Sequence, residues 1–144
     1  LHKNKNQLEI GEIMFQGVDH VVIRVKDLES AISNYENIYG TEVTERGETP
    51  EAGMQQAYFR FAETFIELVS NVGDDGIIAK SLESRGEGVH LVAMRVDDID
   101  EAVADLRGKG IRLVGDPGEG NPVTGQVFIH PAETGGVLTQ IIAK

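Results

Sequence analysis

His20 and Glu67 are the two side chains whose type and position suggest chemistry most directly. His20 lies in the β-branched run Val18–Val25. A lone histidine there is either a core residue with both nitrogens satisfied or a metal ligand. Glu67 sits between Ile66 and Leu68. Its carboxylate either faces solvent or points into a half-polar cleft, where burial would prepare it to move a proton. Gln56 and Gln140 also fall in apolar strands. Their amides can bond to neighbours or to a substrate carbonyl, but they cannot take up a proton near neutral pH. His130 precedes Pro131 at a strand end and reads as a turn residue or as a ligand contact. Nucleophilic catalysis finds no support, because the chain has no cysteine and no Gly-x-Ser-x-Gly turn. The glycine-rich stretch 118–122 is not followed by a helical pattern and reads as a loop rather than a phosphate cradle.

The elements that must position these residues are written twice. Residues 17–32 align with 88–103, with identities at Gly17/Gly88, Val18/Val89, Val21/Val92, Arg24/Arg95, Val25/Val96, Asp27/Asp98 and Ala31/Ala102. Such a duplication implies two copies of one supersecondary unit. Each copy opens with a strand, followed by a helix that starts at an Asp N-cap (Asp27, Asp98). Asp98 and Glu101 have the spacing of a capping box. Gly40 and Gly108/Gly110 are expected to end the two helices. Three short strands follow in each copy, near 42–46, 54–61 and 64–69, then near 111–114, 126–130 and 137–142. The expected class is α+β, with two βαβββ modules at about 14–71 and 88–144 joined by a linker helix at about 76–86. His20 aligns with Leu91, and Glu67 with Gln140. Residues 1–13 match nothing in the repeat and are expected to be an extension, either upstream sequence or non-native, outside the single domain 14–144.

The chain has 144 residues, with 13 Lys and Arg against 24 Asp and Glu, a net charge of −11. That balance excludes nucleic-acid binding through a basic patch. No apolar run is long enough for a membrane span, and the absence of cysteine is consistent with a cytoplasmic protein. A small-molecule ligand remains the expected partner.

The stretches Asp19-His20-Val21, Val25-Lys26-Asp27-Leu28, Arg85-Gly86-Glu87-Gly88-Val89-His90, Arg95-Val96-Asp97-Asp98-Ile99 and Phe128-Ile129-His130-Pro131, with Thr134 to Leu138, carry a resemblance. The chain resembles the vicinal oxygen chelate (glyoxalase/bleomycin-resistance) superfamily and, within it, the methylmalonyl-CoA epimerase family. The resemblance implies a curved sheet around a central cleft, a homodimer, and a divalent metal such as cobalt, nickel, manganese or zinc. It places metal ligands at His20, Glu67 and Gln140, with Leu91 in the fourth ligand position. It places the family's acid/base positions at Gln56 and Gln140, neither of which is an acid here. Glu67 and Gln140 become the candidate catalytic residues, while Gln56 and His130 become substrate contacts. Lys80, Arg85 and Lys144 are cations able to meet a CoA phosphate. The implied function is that of a divergent isomerase or lyase acting on an acyl-CoA or other small carbonyl compound. Ordinary two-base epimerisation is not expected. The alternative is a metal-free small-molecule binding module without catalysis, which Leu91 favours.

Overall fold

The computed structural model describes residues 14–143 and contains eight strands and three helices. The expected extension at 1–13 and the cation Lys144 lie outside the described residues. In chain order the elements are β1 (Phe15–Arg24), α1 (Leu28–Tyr39), β2 (Glu45–Thr49), β3 (Met54–Arg60), β4 (Phe65–Asn71), α2 (Ile77–Arg85), β5 (Gly88–Val96), α3 (Ile99–Gly108), β6 (Leu113–Val114), β7 (Val127–Ile129) and β8 (Thr139–Ala143). The class is α+β, with the strand–helix–three-strand order present twice. No helix among the described residues is long and apolar enough to cross a membrane.

The chain divides into two units, residues 19–92 and residues 14–18 with 93–143. In the 19–92 unit the strands run in the order β2-β3-β4-β1-β5. β1 pairs with β4 in parallel, while β2, β3 and β4 are mutually antiparallel. Side chains alternate across a strand, so Ile23, Val25, Ala57, Phe59, Ile66 and Leu68 share the face that α1 covers with Leu28 and Ile32. Burying such side chains stabilises by about 2 kcal/mol each. Asp27 starts α1 as expected, its carboxylate accepting from the Ser30 amide at 3.0 Å. Gly40 ends it in the left-handed region at φ 69°, with its amide on the Glu36 carbonyl.

In the second unit, Ala102, Val103 and Leu106 of α3 pack with Val96, Val127 and Ile141. Asp98 caps α3 through the Glu101 amide at 3.1 Å. The exit of α3 divides the expected role between its two glycines. Gly108 is the last helical residue and Lys109 the cap, while Gly110 at φ 77° makes the left-handed turn. Only Gly110 needs to be glycine there, because its φ is in the left-handed region; its amide turns back onto the Arg107 carbonyl. The first hairpin strand also moves, from the expected 42–46 to Glu45–Thr49. Its register on β3 is fixed by the turn at Pro50–Ala52, with Gly53 in the left-handed region.

Candidate active site

β1 carries His20, Val22 and Arg24 on the face away from α1. Its register on β4 sets Phe65 beside His20 and Glu67 beside Val22. Across β3 and β4, Tyr58 faces Glu67 and Gln56 faces Val69. His20, Gln56, Tyr58, Phe65 and Glu67 therefore occupy one face of one sheet. Three of the expected site residues meet there.

His20 is only 6% exposed. Its ring stacks on Phe65, with centroids 4.3 Å apart and planes inclined by 11°. Its Nδ1 lies 2.8 Å from Oδ2 of the buried Asp19. That contact fixes the ring and leaves Nε2 as the nitrogen free to meet a ligand. Glu67 is partly buried, and no hydrogen bond or ion pair to it is found among the described residues. Burial alone pushes its carboxyl up to about 7. Beside it, the Tyr58 hydroxyl is held above its ordinary range, by burial first and then by the nearby charges of Glu67 and Glu45. Tyr58 therefore stays a neutral donor. The Arg60 guanidinium lies 4.7 Å from the Phe65 ring centroid and donates from Nε to Glu45 at 2.7 Å. Gln56 is buried and donates its amide to the Thr49 hydroxyl at 3.1 Å.

Leu91 is buried on β5 and offers no lone pair. The neighbouring His90 points to the opposite side of the strand. Burial, then the charges of Arg24 and Arg85, push its imidazole down to about 4. Gln140 is half-buried on β8 in the other unit, opposite Phe128 of β7. His130 uses Nδ1 to accept the Ala132 amide at 3.0 Å, which is the turn-residue arrangement. Among the described residues no three His, Asp or Glu side chains form a group able to hold a metal ion. His20, Glu67 and the amide oxygen of Gln140 are three donors for the four positions the resemblance implies, and Leu91 leaves the fourth without one. The donor set does not fit a full divalent site, and no step below runs through a metal.

Tyr58 and Arg60 belong to this face and Asp19 reaches its histidine; all three were missed as site residues from sequence. For Asp19 the available signal was its adjacency to His20. For Tyr58 and Arg60 it was the alternation of Gln56, Tyr58 and Arg60 along β3.

Residues 19–128 match the Glyoxalase/Bleomycin resistance protein/Dioxygenase superfamily. The chain belongs to this superfamily. The human mitochondrial methylmalonyl-CoA epimerase is 36% identical over 129 residues, covering 86% of this chain and 72% of that protein. The ethylmalonyl-CoA/methylmalonyl-CoA epimerase of Cereibacter sphaeroides is 33% identical, with 89% and 98% covered. Among solved structures, methylmalonyl-CoA epimerase from Mycobacterium tuberculosis superposes with a TM-score of 0.79 at 31% identity, covering 94% of this chain and 92% of that one. A Streptomyces coelicolor methylmalonyl-CoA epimerase variant in complex with 2-nitronate-propionyl-CoA gives 0.77 at 30%, with 90% and 98% covered. The α+β architecture is that of this superfamily's epimerases.

Proposed function

We propose that this protein binds an acyl-CoA thioester and moves the proton on the carbon alpha to the thioester carbonyl, with Glu67 as the acid/base. The observation that carries this reading is a carboxyl group set into an apolar strand, with no protein partner, on the face that also holds His20 and Tyr58. A group poised near neutrality has the ionised fraction to take a proton and the protonated fraction to return one. In the forward step the α C–H bond breaks and the proton passes to a Glu67 oxygen. The electron pair moves onto the carbonyl oxygen as an enolate. Neutral donors suit that oxygen, and the Tyr58 hydroxyl and the remaining Gln56 N–H are of that kind. The reverse step returns the proton to carbon.

The test is α-proton exchange in D2O, followed by NMR, on methylmalonyl-CoA and propionyl-CoA. Exchange is expected with the wild type, and Glu67→Gln should slow it by about 10²- to 10⁴-fold. Exchange that is unaffected by Glu67→Gln would overturn the assignment. A second reading, ligand sequestration without catalysis, is favoured by Leu91, which removes a ligand from the family's pattern. Saturable acyl-CoA binding without any exchange would establish it instead.

A further inference from the structure

At the far end of β1 from His20, a second cluster gathers that neither proton transfer nor thioester binding uses. Arg24 is 5% exposed. Its Nε donates to the Gly86 carbonyl at 2.7 Å and its Nη1 to the Val89 carbonyl at 2.9 Å. Both acceptors are uncharged, and no carboxylate pairs with this guanidinium among the described residues. Arg85 donates to the Ser81 hydroxyl at 3.1 Å, again a neutral partner. Its charge lies close enough to depress the pKa of Arg24, after the larger effect of burial. His90, 8% exposed, has an Nδ1 with no hydrogen-bond partner. Two guanidiniums and an imidazole thus surround one turn, whose single carboxylate, Glu87, accepts the Lys26 amide and pairs with neither guanidinium, in a chain of net charge −11.

Of these three side chains, Arg24 opens onto a groove of about 570 Å³, lined also by Lys26, Ser30, Asn34, Tyr35 and Gly88 among others. The third nitrogen of Arg24, Nη2, donates to none of the described residues and lies at Gly88, 3.9 Å from where a Cβ would stand. The Lys26 ammonium likewise pairs with none of them. Two carboxylates also line the groove. Asp27 accepts the Ser30 amide and Glu87 accepts the Lys26 amide. Asp27 bars an anion from the start of α1, so the Arg24 end is the place left for one.

We propose that this groove binds a phosphoryl group, with Arg24 Nη2 and Lys26 as donors and Arg85 adding positive potential. The shape of the guanidinium, and the absence of a carboxylate partner for Arg24 or Lys26 among the described residues, favour an oxyanion over a neutral ligand. The inference is independent of the Glu67 assignment, since Arg24 closes β1 at the end away from His20 and Lys26 lies beyond the strand.

The experiment is isothermal titration and thermal shift on the full chain at constant ionic strength. One arm uses inorganic pyrophosphate and another coenzyme A, with sodium chloride as the control. Saturable binding of pyrophosphate is expected, weakened roughly tenfold by Arg85→Gln and by Lys26→Gln, as for loss of a charged partner. Arg24→Lys, which keeps the charge but loses the fork, should weaken it similarly if the variant folds. Coenzyme A binding tighter than pyrophosphate, with the same loss in Arg85→Gln, would identify the phosphates of a larger cofactor as the source. Comparable affinities would identify free phosphate compounds. Either supports the site. Absence of saturable binding, a shift reproduced by chloride, or unchanged affinity in both Arg85→Gln and Lys26→Gln would overturn it.

Discussion

The first repeat reads Asp19-His20 where the second reads His90-Leu91. The histidine has moved by one residue on otherwise matching strands, and in a strand that step reverses the face. His20 stacks on Phe65 with an anion at its Nδ1. His90 turns to the other side of its strand, among the charges of Arg24 and Arg85, with its Nδ1 unpartnered. Both imidazoles are buried, but one copy holds its ring between an aspartate and an aromatic stack, and the other leaves an Nδ1 without a partner. The duplicated strand is a scaffold on which a single-residue offset gives one residue type two surroundings.

The two copies should also oppose each other in pH-dependent stability. Burial raises Glu67 from 4.5 to about 7 in the folded chain, so the folded state holds the extra proton. Its contribution is fully present below pH 4.5 and is lost as pH rises through 7. His90 is lowered from 6.5 to about 4, so between those values the unfolded chain holds the extra proton. Its contribution is present above pH 6.5 and is lost as pH falls toward 4. Between pH 4.5 and 6.5 the slopes have opposite sign and largely cancel. Denaturant unfolding across that range should expose each slope in turn. Glu67→Gln should leave a stability that rises with pH, while His90→Asn should leave one that falls. Each swing is on the order of 3 kcal/mol over its full range. Identical pH profiles for wild type and both variants would show that neither group is buried as described.

The repeat announced most of the fold, because alternation on β1 and β5 and the caps at Asp27 and Asp98 are local signals. The displacement of β2 to Glu45–Thr49 was hidden, since its register depends on the Gly53 turn and on pairing with β3. The exit of α3 at Gly108 and Gly110 was legible, but which of the two glycines takes the left-handed turn is decided only by backbone angle. In the site, the shared face of His20, Gln56 and Glu67 follows once β1 lies beside β4, a pairing between distant segments. The partners were less legible. Asp19 lies one residue from His20, where alternation alone would send it to the far side. Arg24 gave no sign of burial, since only the approach of the Gly86 and Val89 carbonyls makes a buried guanidinium tolerable.

Restoring the symmetry of the repeat should restore a ligand. Leu91→His places an imidazole at the position equivalent to His20, on the same alternation. A ligand should count for at least as much as the outer-shell partners whose loss costs about 10- to 100-fold in metal affinity. Titration with cobalt(II) should show Leu91→His binding tighter than wild type by roughly that factor. The gain should disappear in the double variant Leu91→His/His20→Ala. Equal cobalt affinity in wild type and Leu91→His would mean that position 91 does not share a site with His20.

The smallest effect concerns what the two copies still have in common. Asp27 and Asp98 cap α1 and α3 through the same bond, carboxylate to the amide three residues on, at 3.0 and 3.1 Å. Both bonds are solvent-exposed, and both helices lay apolar residues on a core. Replacing either Asp by Ala should therefore destabilise by about 1 kcal/mol, and by nearly the same amount in each copy. Substitution by Asn should restore most of the loss, because the amide oxygen can accept the same N–H. Surroundings distinguish them slightly. Asp27 borders the groove proposed to hold an anion, so Asp27→Asn should also tighten pyrophosphate binding, whereas Asp98→Asn should leave it unchanged. Equal effects of the two Asn variants on pyrophosphate affinity would separate the cap from the groove.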